Sequence, residues 1–209
     1  MGASAKPPAA RVDTARAEAS DSQESVLLVA LSCFVEQGFH GTSMRDIAGR
    51  AGTSIAAIYY HFPSKAALLR AIMTRVTEDL IAVLEQARAG ANKNDDAATL
   101  LAALVRAYVR FHTERREEAF VGNSELRSLE ADDLVHVIAL RDRVSAMFND
   151  AIAAGLNQGV FHCVHPREAG LALMTMCTAV ASWYRPGGPA TSEDIADRYA
   201  ELALATLGA

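Results

Sequence analysis

Five side chains between positions 42 and 65 are of types suited to gripping phosphate. Thr42 and Ser43 fall where a short helix begins, so their hydroxyls and the unpaired backbone N–H groups there can hold an anion. Tyr59 and Tyr60 close the next helix, where a phenol can reach a nucleic-acid backbone. Lys65 lies on the first turn of a further helix and adds a point charge beside another helix N-terminus. Base reading falls to Thr53, Ser54, Ile55, Ala56 and Ala57, among which there is no Arg, Asn or Gln for bidentate contact. Specificity must then come from Ser54, from thymine-methyl contacts by Ile55 or Ala56, from Arg45, and from DNA shape. Ile58 and Phe62 read as core, His61 as a structural hydrogen-bonder and Arg50 as solvated.

Other chemistry is thinner. His162-Cys163-x-His165 is a single cluster on one loop, with no second ligand group at zinc spacing, so no metal is expected. Asp132, Asp133 and His136 lie at a helix start, where acids favour the dipole. No nucleophile elbow, phosphate-binding glycine loop, Glu-x-x-His pair or Ser/His/Asp arrangement stands out. The chain is therefore expected to be neither an enzyme nor a cofactor carrier.

The elements that must position the phosphate-type residues are short helices with clear punctuation. Residues 1–20 mix Ala, Pro, Lys, Arg, Asp and Ser without periodicity and read as a disordered arm. A first helix is expected from Asp21, boxed with Glu24, through Leu27, Ala30, Leu31 and Phe34 to a stop at Gly38. Ser43 and Asp46 form a second capping box, and that helix ends at Gly52. Thr53 or Ser54 caps a third helix, which Pro63 ends, and Ser64 caps a longer fourth. Short helices joined by a tight glycine turn are the helix-turn-helix layout. After a loop at Gly90–Asn94, helices are expected near 96–113, 115–128, 131–158, 166–184 and 192–207. The predicted fold is all-α, about nine helices, with a helix-turn-helix domain over 21–70 and a bundle for ligand binding and dimerisation over 71–209.

Composition agrees. Ala and Leu dominate the 51% hydrophobic content, with only 6% aromatics, which favours helix over strand. The net charge of −5 is unevenly divided: eight bases face six acids through residue 75, and 12 face 19 beyond it. A mildly basic head on an acidic body permits phosphate binding at one end only. No apolar stretch reaches the roughly 18 residues of a membrane helix and no signal-peptide core opens the chain, so a cytoplasmic location is expected. Cys33, Cys163 and Cys177 form no disulfide framework, which suits a reducing compartment.

The stretch Phe34-x-x-x-Gly38-Phe39-x-x-Thr42-Ser43-x-x-Asp46-Ile47-Ala48-x-x-Ala51-Gly52, followed by Ile58-Tyr59-Tyr60-His61-Phe62-x-Ser64-Lys65-x-x-Leu68-Leu69, closely resembles the N-terminal signature of the TetR/AcrR family. The resemblance implies a homodimeric repressor on a pseudo-palindromic operator, its third helix in the major groove, with Thr42, Ser43, Tyr59, Tyr60 and Lys65 on phosphates. Many relatives have Gly where this chain has Ala56. It also implies a dimer through the last two helices. The segment Ser182-Trp183-Tyr184-Arg185-Pro186-Gly187-Gly188-Pro189 resembles a TetR branch that answers to acyl-CoA thioesters, and a fainter likeness runs through Asn123-Ser124-Glu125-Leu126-Arg127 and Leu156-Asn157-Gln158-Gly159. On that resemblance Trp183, Tyr184 and Arg185 are ligand candidates, with Asn123, and with Phe111, Phe120, Met147, Phe148 and Met174 as pocket lining. Packing of Trp183 in the dimer core and capping by Arg185 explain the same residues. Arg106, Arg110, Arg141 and Arg143 can neutralise CoA phosphates or form surface ion pairs. A free fatty acid or drug as effector, a helical ligand-binder without DNA readout, and a bundle enzyme or metal protein using the His162 loop are the rival readings.

Overall fold

The computed structural model describes the backbone of residues 9–90 and 96–209, with side chains from Ser22 onward. Among the described residues there are nine α-helices, one 3-10 turn and no strand, so the all-α expectation holds. The chain divides into two compact units, Met1–Ala71 and Ile72–Ala209.

The first unit holds α1 (Ala9–Gly41), α2 (Met44–Ala51), α3 (Ile55–His61) and the start of α4 (Lys65–Gly90). The polar punctuation works as its chemistry dictates. Ser43 caps α2: its hydroxyl accepts from the Asp46 N–H at 3.2 Å, while the Asp46 carboxylate accepts from the Ser43 N–H at 2.9 Å. Gly52 then takes a left-handed φ of 62°, and Ser54 caps α3 by accepting from the Ala57 N–H at 3.1 Å. Ser64 caps α4 in the same way, accepting from the Ala67 N–H. Phe34, Ile47, Ile58, Leu68 and Leu69 are fully buried here.

One expectation needs correction. The first helix does not begin at Asp21 but at Ala9, so residues 9–20 of the expected disordered arm are helical, and residues 1–8 lie outside the described residues. The segment from Ala9 to Ser20 is rich in Ala, carries Arg11 and Arg16, and has no Gly or Pro, so nothing in it interrupts a helix propagating from the packed turns beyond. Gly38 does break the regular path, with φ 73° and ψ 163°, although helical pairing resumes as far as Gly41.

The second unit holds the rest of α4 with α5 (Ala97–Glu114), α6 (Arg116–Ser124), α7 (Ala131–Gln158), α8 (Pro166–Trp183) and α9 (Ser192–Thr206). Helix α4 runs through Gly90, and the rest of the predicted loop there lies outside the described residues. The helix expected over 115–128 stops at Ser124 and continues as a 3-10 turn, Leu126–Ser128. Hydrogen bonds from Ser128 N–H to Glu125 O and Leu129 N–H to Leu126 O tighten that last turn. Helix α5 is the spine. Leu101, Leu104, Val105 and Val109 are fully buried on it, and α7, α8 and α9 all pack against it. Among the described residues no helix is long and apolar enough to cross a membrane.

The end of α7 is closed by Phe161, which folds back over Gly155 so tightly that a Cβ on Gly155 would meet the ring at 2.1 Å. Helical Gly→Ala ordinarily gains up to about 1 kcal/mol. Here we expect the opposite sign: Gly155→Ala should lose about 1–3 kcal/mol through overpacking, read as a lower urea midpoint.

Candidate nucleic-acid interface and ligand cavity

Two helices and the turns that flank them make the candidate nucleic-acid face. Beyond Ile58, which anchors α3 in the core, Ser54, Ala56, Ala57, Tyr59 and Tyr60 are exposed, and Tyr60 is 84% exposed. Thr53 and Ile55 are half-buried, and the Thr53 N–H donates to Ala48 O across the turn. Ser43 and Arg45 are exposed at the start of α2. This gathers one apolar and hydroxyl-bearing surface on α3 beside one cationic side chain on α2.

Two of the expected phosphate ligands are used otherwise. Thr42 is only 2% exposed, and its hydroxyl is directed at Cys33 O and Gly38 O, 3.1 and 2.9 Å away. The Lys65 ammonium donates to Phe39 O and Thr42 O at 2.5 and 2.6 Å and sits 4.4 Å from the Phe39 ring centroid. A helix end leaves carbonyls short of donors, and these two side chains supply donors to the carbonyls at and just beyond the end of α1. Thr42 and Lys65 therefore shape the α1–α2 turn; one N–H of the Lys65 ammonium is left over. His61 is a structural hydrogen-bonder, its Nδ1 lying 2.7 Å from Gln23 Nε2. Arg50 is ion-paired with Glu36 at 2.6 Å rather than merely solvated.

The second unit contains a cavity of about 650 Å³ walled by α4, α5, α6, α7 and α8. Of the ligand candidates, Phe111, Phe120, Asn123 and Met174 lie together on its wall. The other ligand candidates do not. Phe148 is core and meets Tyr108 edge-on, Met147 packs on that core, and Tyr184 turns inward beneath the end of α8. Trp183 is 45% exposed and pairs with Tyr199, and Arg185 is exposed in the turn that follows. Helix α8 ends at Trp183, so successive residues there point in different directions.

Of the four arginines considered, three are ion-paired: Arg106 with Asp197, Arg110 with Glu193 and Arg143 with Glu85. Arg141 alone of the four lines the cavity, donating to Gly122 O at 2.6 Å, and burial pushes its guanidinium pKa down. Sequence reasoning missed Tyr108, His112 and Thr178. The Tyr108 hydroxyl is 2.8 Å from that of Thr178. His112 stacks on the Tyr108 ring, and its Nδ1 is 2.8 Å from Tyr108 O. Because a carbonyl only accepts, Nδ1 carries the proton and Nε2 is an acceptor. Burial drives the His112 pKa down to about 4, helped by the nearby Arg141 charge. The available signal was two polar aromatics one turn apart, Tyr108 and His112, away from the arginine-bearing stripe of the helix. Among the described residues no group of three His, Cys, Asp or Glu side chains is placed to hold a metal ion.

A glycine-turned helix pair carrying an exposed third helix defines a helix-turn-helix regulator. Residues 26–72 match the family of bacterial regulatory proteins, tetR family, and residues 94–207 match the tetracyclin repressor-like C-terminal domain. The chain belongs to the TetR family of transcriptional regulators. It is 27% identical over 187 residues to the HTH-type transcriptional repressor KstR2 of Rhodococcus jostii (strain RHA1), covering 88% of this chain and 90% of that protein. A tetR-family regulatory protein from Rhodococcus RHA1 shares the fold with TM-score 0.84 at 30% identity, over 89% of this chain and 96% of that one. So does AibR in complex with isovaleryl coenzyme A and operator DNA, with TM-score 0.78 at 23% identity, over 87% and 97%.

The buried imidazole should be visible in stability. His112 titrates near 4 when folded and near 6.5 when unfolded, so the unfolded chain binds the extra proton between those values. Its contribution is complete above pH 6.5 and is lost as pH falls toward 4. From pH 7 to pH 5 the wild type should lose about 2 kcal/mol more than His112→Gln, measured by urea unfolding at one protein concentration.

Proposed function

We propose that this protein is a ligand-responsive repressor that binds a pseudo-palindromic operator as a homodimer in the cytoplasm and is released by an apolar acyl effector of the coenzyme A thioester class. The observation that carries this reading is the cavity: a largely apolar chamber with one half-buried cation, Arg141, in a chain whose first unit is a helix-turn-helix. A relative named as a repressor and a structural neighbour solved with an acyl-coenzyme A and operator DNA support it. On this reading Ser43, Arg45, Tyr59, Tyr60 and the remaining N–H of Lys65 hold phosphates. Ser54, Ile55 and Ala56 meet base edges, with Thr53 beside them, while Thr42 keeps the turn in shape. A free carboxylic acid is the second reading for the effector, and the placement of Arg141 favours it.

The dimer is assigned to α8 and α9. Leu171 is 70% exposed, Leu202 and Trp183 are about half exposed, and these apolar side chains lie on the two helices. Two-fold symmetry then sets two copies of α3 about 34–36 Å apart, or a little more, on successive major grooves. Release works as a population shift: effector binding favours a dimer whose α3 helices no longer match that spacing, and a coupling of about 1–3 kcal/mol is sufficient. Helix α4 runs from Lys65 at the α1–α2 turn to Val76, Thr77 and Leu80 in the cavity wall, so the effector acts on a helix the first unit also uses.

A gel shift on DNA flanking the protein's own gene, followed by random-site selection if needed, tests the reading. A specific complex that weakens steeply with salt and dissolves with one acyl-CoA is the expected result. Absence of any preferred DNA after selection overturns it. For the assembly, the double variant Leu171→Glu and Leu202→Glu should sediment as a monomer and lose the operator complex. A variant that still sediments as a dimer removes α8 and α9 from the interface.

A further inference from the structure

Resting on the ligand-responsive reading above, we propose that Arg141 and His112 are the two polar anchors of the cavity. Arg141 takes an anionic group of the effector, a carboxylate or a phosphate, and Nε2 of His112 accepts a hydrogen bond from an effector hydroxyl. The effector class is thus an apolar molecule carrying both a negative charge and a hydroxyl.

The argument for Arg141 begins with its donors. A guanidinium has five N–H groups, and the described contacts of Arg141 use it once, on Gly122 O. No described carboxylate pairs with it. Glu118, the acid on the same cavity wall, is held by Arg115 at 2.9 Å. Withdrawing a cation from water without an anion is costly, and an anion entering the cavity offsets that cost. The contrast with Arg106, Arg110 and Arg143, each ion-paired, marks Arg141 as the residue with capacity to spare.

His112 is argued the same way. Its Nδ1 proton is committed to Tyr108 O, and stacking on the Tyr108 ring fixes the imidazole. Among the described residues no buried side-chain nitrogen or oxygen is closed off without a partner. Among the described residues Nε2 has no hydrogen-bond partner, so it opens on the cavity that His112 lines. The Tyr108 and Thr178 hydroxyls pair with each other, and neither is bonded to Nε2, which is an acceptor with no donor among the described residues. A neutral imidazole beside a guanidinium cannot bind the same oxygen of an anion, so it selects a separate donor group. Sites built to bond a hydroxyl reject the analogue that lacks it.

Titration calorimetry on the full chain tests both anchors with four probes: a medium-chain hydroxy acid, its methyl ester, the acid without the hydroxyl, and the coenzyme A thioester of the hydroxy acid. For the wild type, the hydroxy acid or its thioester should bind roughly 10- to 100-fold more tightly than the methyl ester. Binding of the free acid identifies the anion as a carboxylate, and preference for the thioester identifies it as a phosphate; either supports the proposal. Arg141→Gln should abolish the preference over the ester, with Arg141→Lys retaining part of it. His112→Phe should bring the hydroxy acid down to the affinity of the plain acid. The proposal is overturned if wild type binds ester and anion equally, if Arg141→Gln weakens both alike, or if no probe binds. The wild-type comparison needs no variant to fold, and the operator gel shift reports the repressor reading separately.

Discussion

Helix α5 is apolar on nearly every side, and a helix of that composition has to be enclosed. That requirement organises the second unit: α9 packs along it most extensively, α7 and α8 cover other faces, and only a stretch toward its C-terminal end is left to a cavity. Polar groups on its enclosed faces cannot reach water, so each must find a partner inside. Tyr108 finds Thr178, and His112 finds the Tyr108 carbonyl by giving up its charge. The cavity's chemistry is therefore a consequence of where α5 stops being uniformly aliphatic.

The first unit depends on a different constraint, the unsatisfied carbonyls at the end of α1. Gly38 bends the chain, Thr42 folds back to bond with it, and Lys65 arrives from α4 to satisfy Phe39 and Thr42 carbonyls together. A single ammonium thus joins two elements that are 26 residues apart in sequence. The short helices α2 and α3 have almost no intrinsic stability at seven or eight residues, so their orientation comes from this framework and from Ile47 and Ile58 in the core. Residues that seem placed to touch phosphate can matter more by holding the scaffold than by touching anything.

These two units were unequally legible in the sequence. In the head, local chemistry decides the structure. Ser43 with Asp46, Gly52, Ser54 and Ser64 each announce a cap or a turn within four residues, and the helices begin and end there. In the body, periodicity reveals an apolar face but not its partner. Phe111 and Phe148 are both buried in the core, yet only Phe111 also lines the cavity. At Trp183-Tyr184-Arg185 the end of α8 turns Tyr184 inward and its neighbours outward, a distinction of one residue that composition cannot carry. The start of α1 was misjudged for the opposite reason: a good cap at Asp21 hid the fact that nothing before it opposes a helix.

A chamber of this kind is a thermodynamic liability that a ligand removes. Side chains around a cavity forgo packing contacts, and a guanidinium drawn from water without a carboxylate lowers the stability of the fold that holds it. Both costs fall on the unliganded protein, so on the proposed reading an effector that filled the space and neutralised Arg141 would stabilise the unit by an amount that grows with the logarithm of its concentration over its Kd. A regulator needs that asymmetry, because a ligand with equal affinity for two states shifts neither. The states must differ at the groups the ligand touches. Val76, Thr77 and Leu80 bring α4 to the cavity wall, and at the other end of α4 Lys65 holds the turn that sets α2. On the proposed reading, what an effector gained by contact on that helix would be the quantity available for regulation.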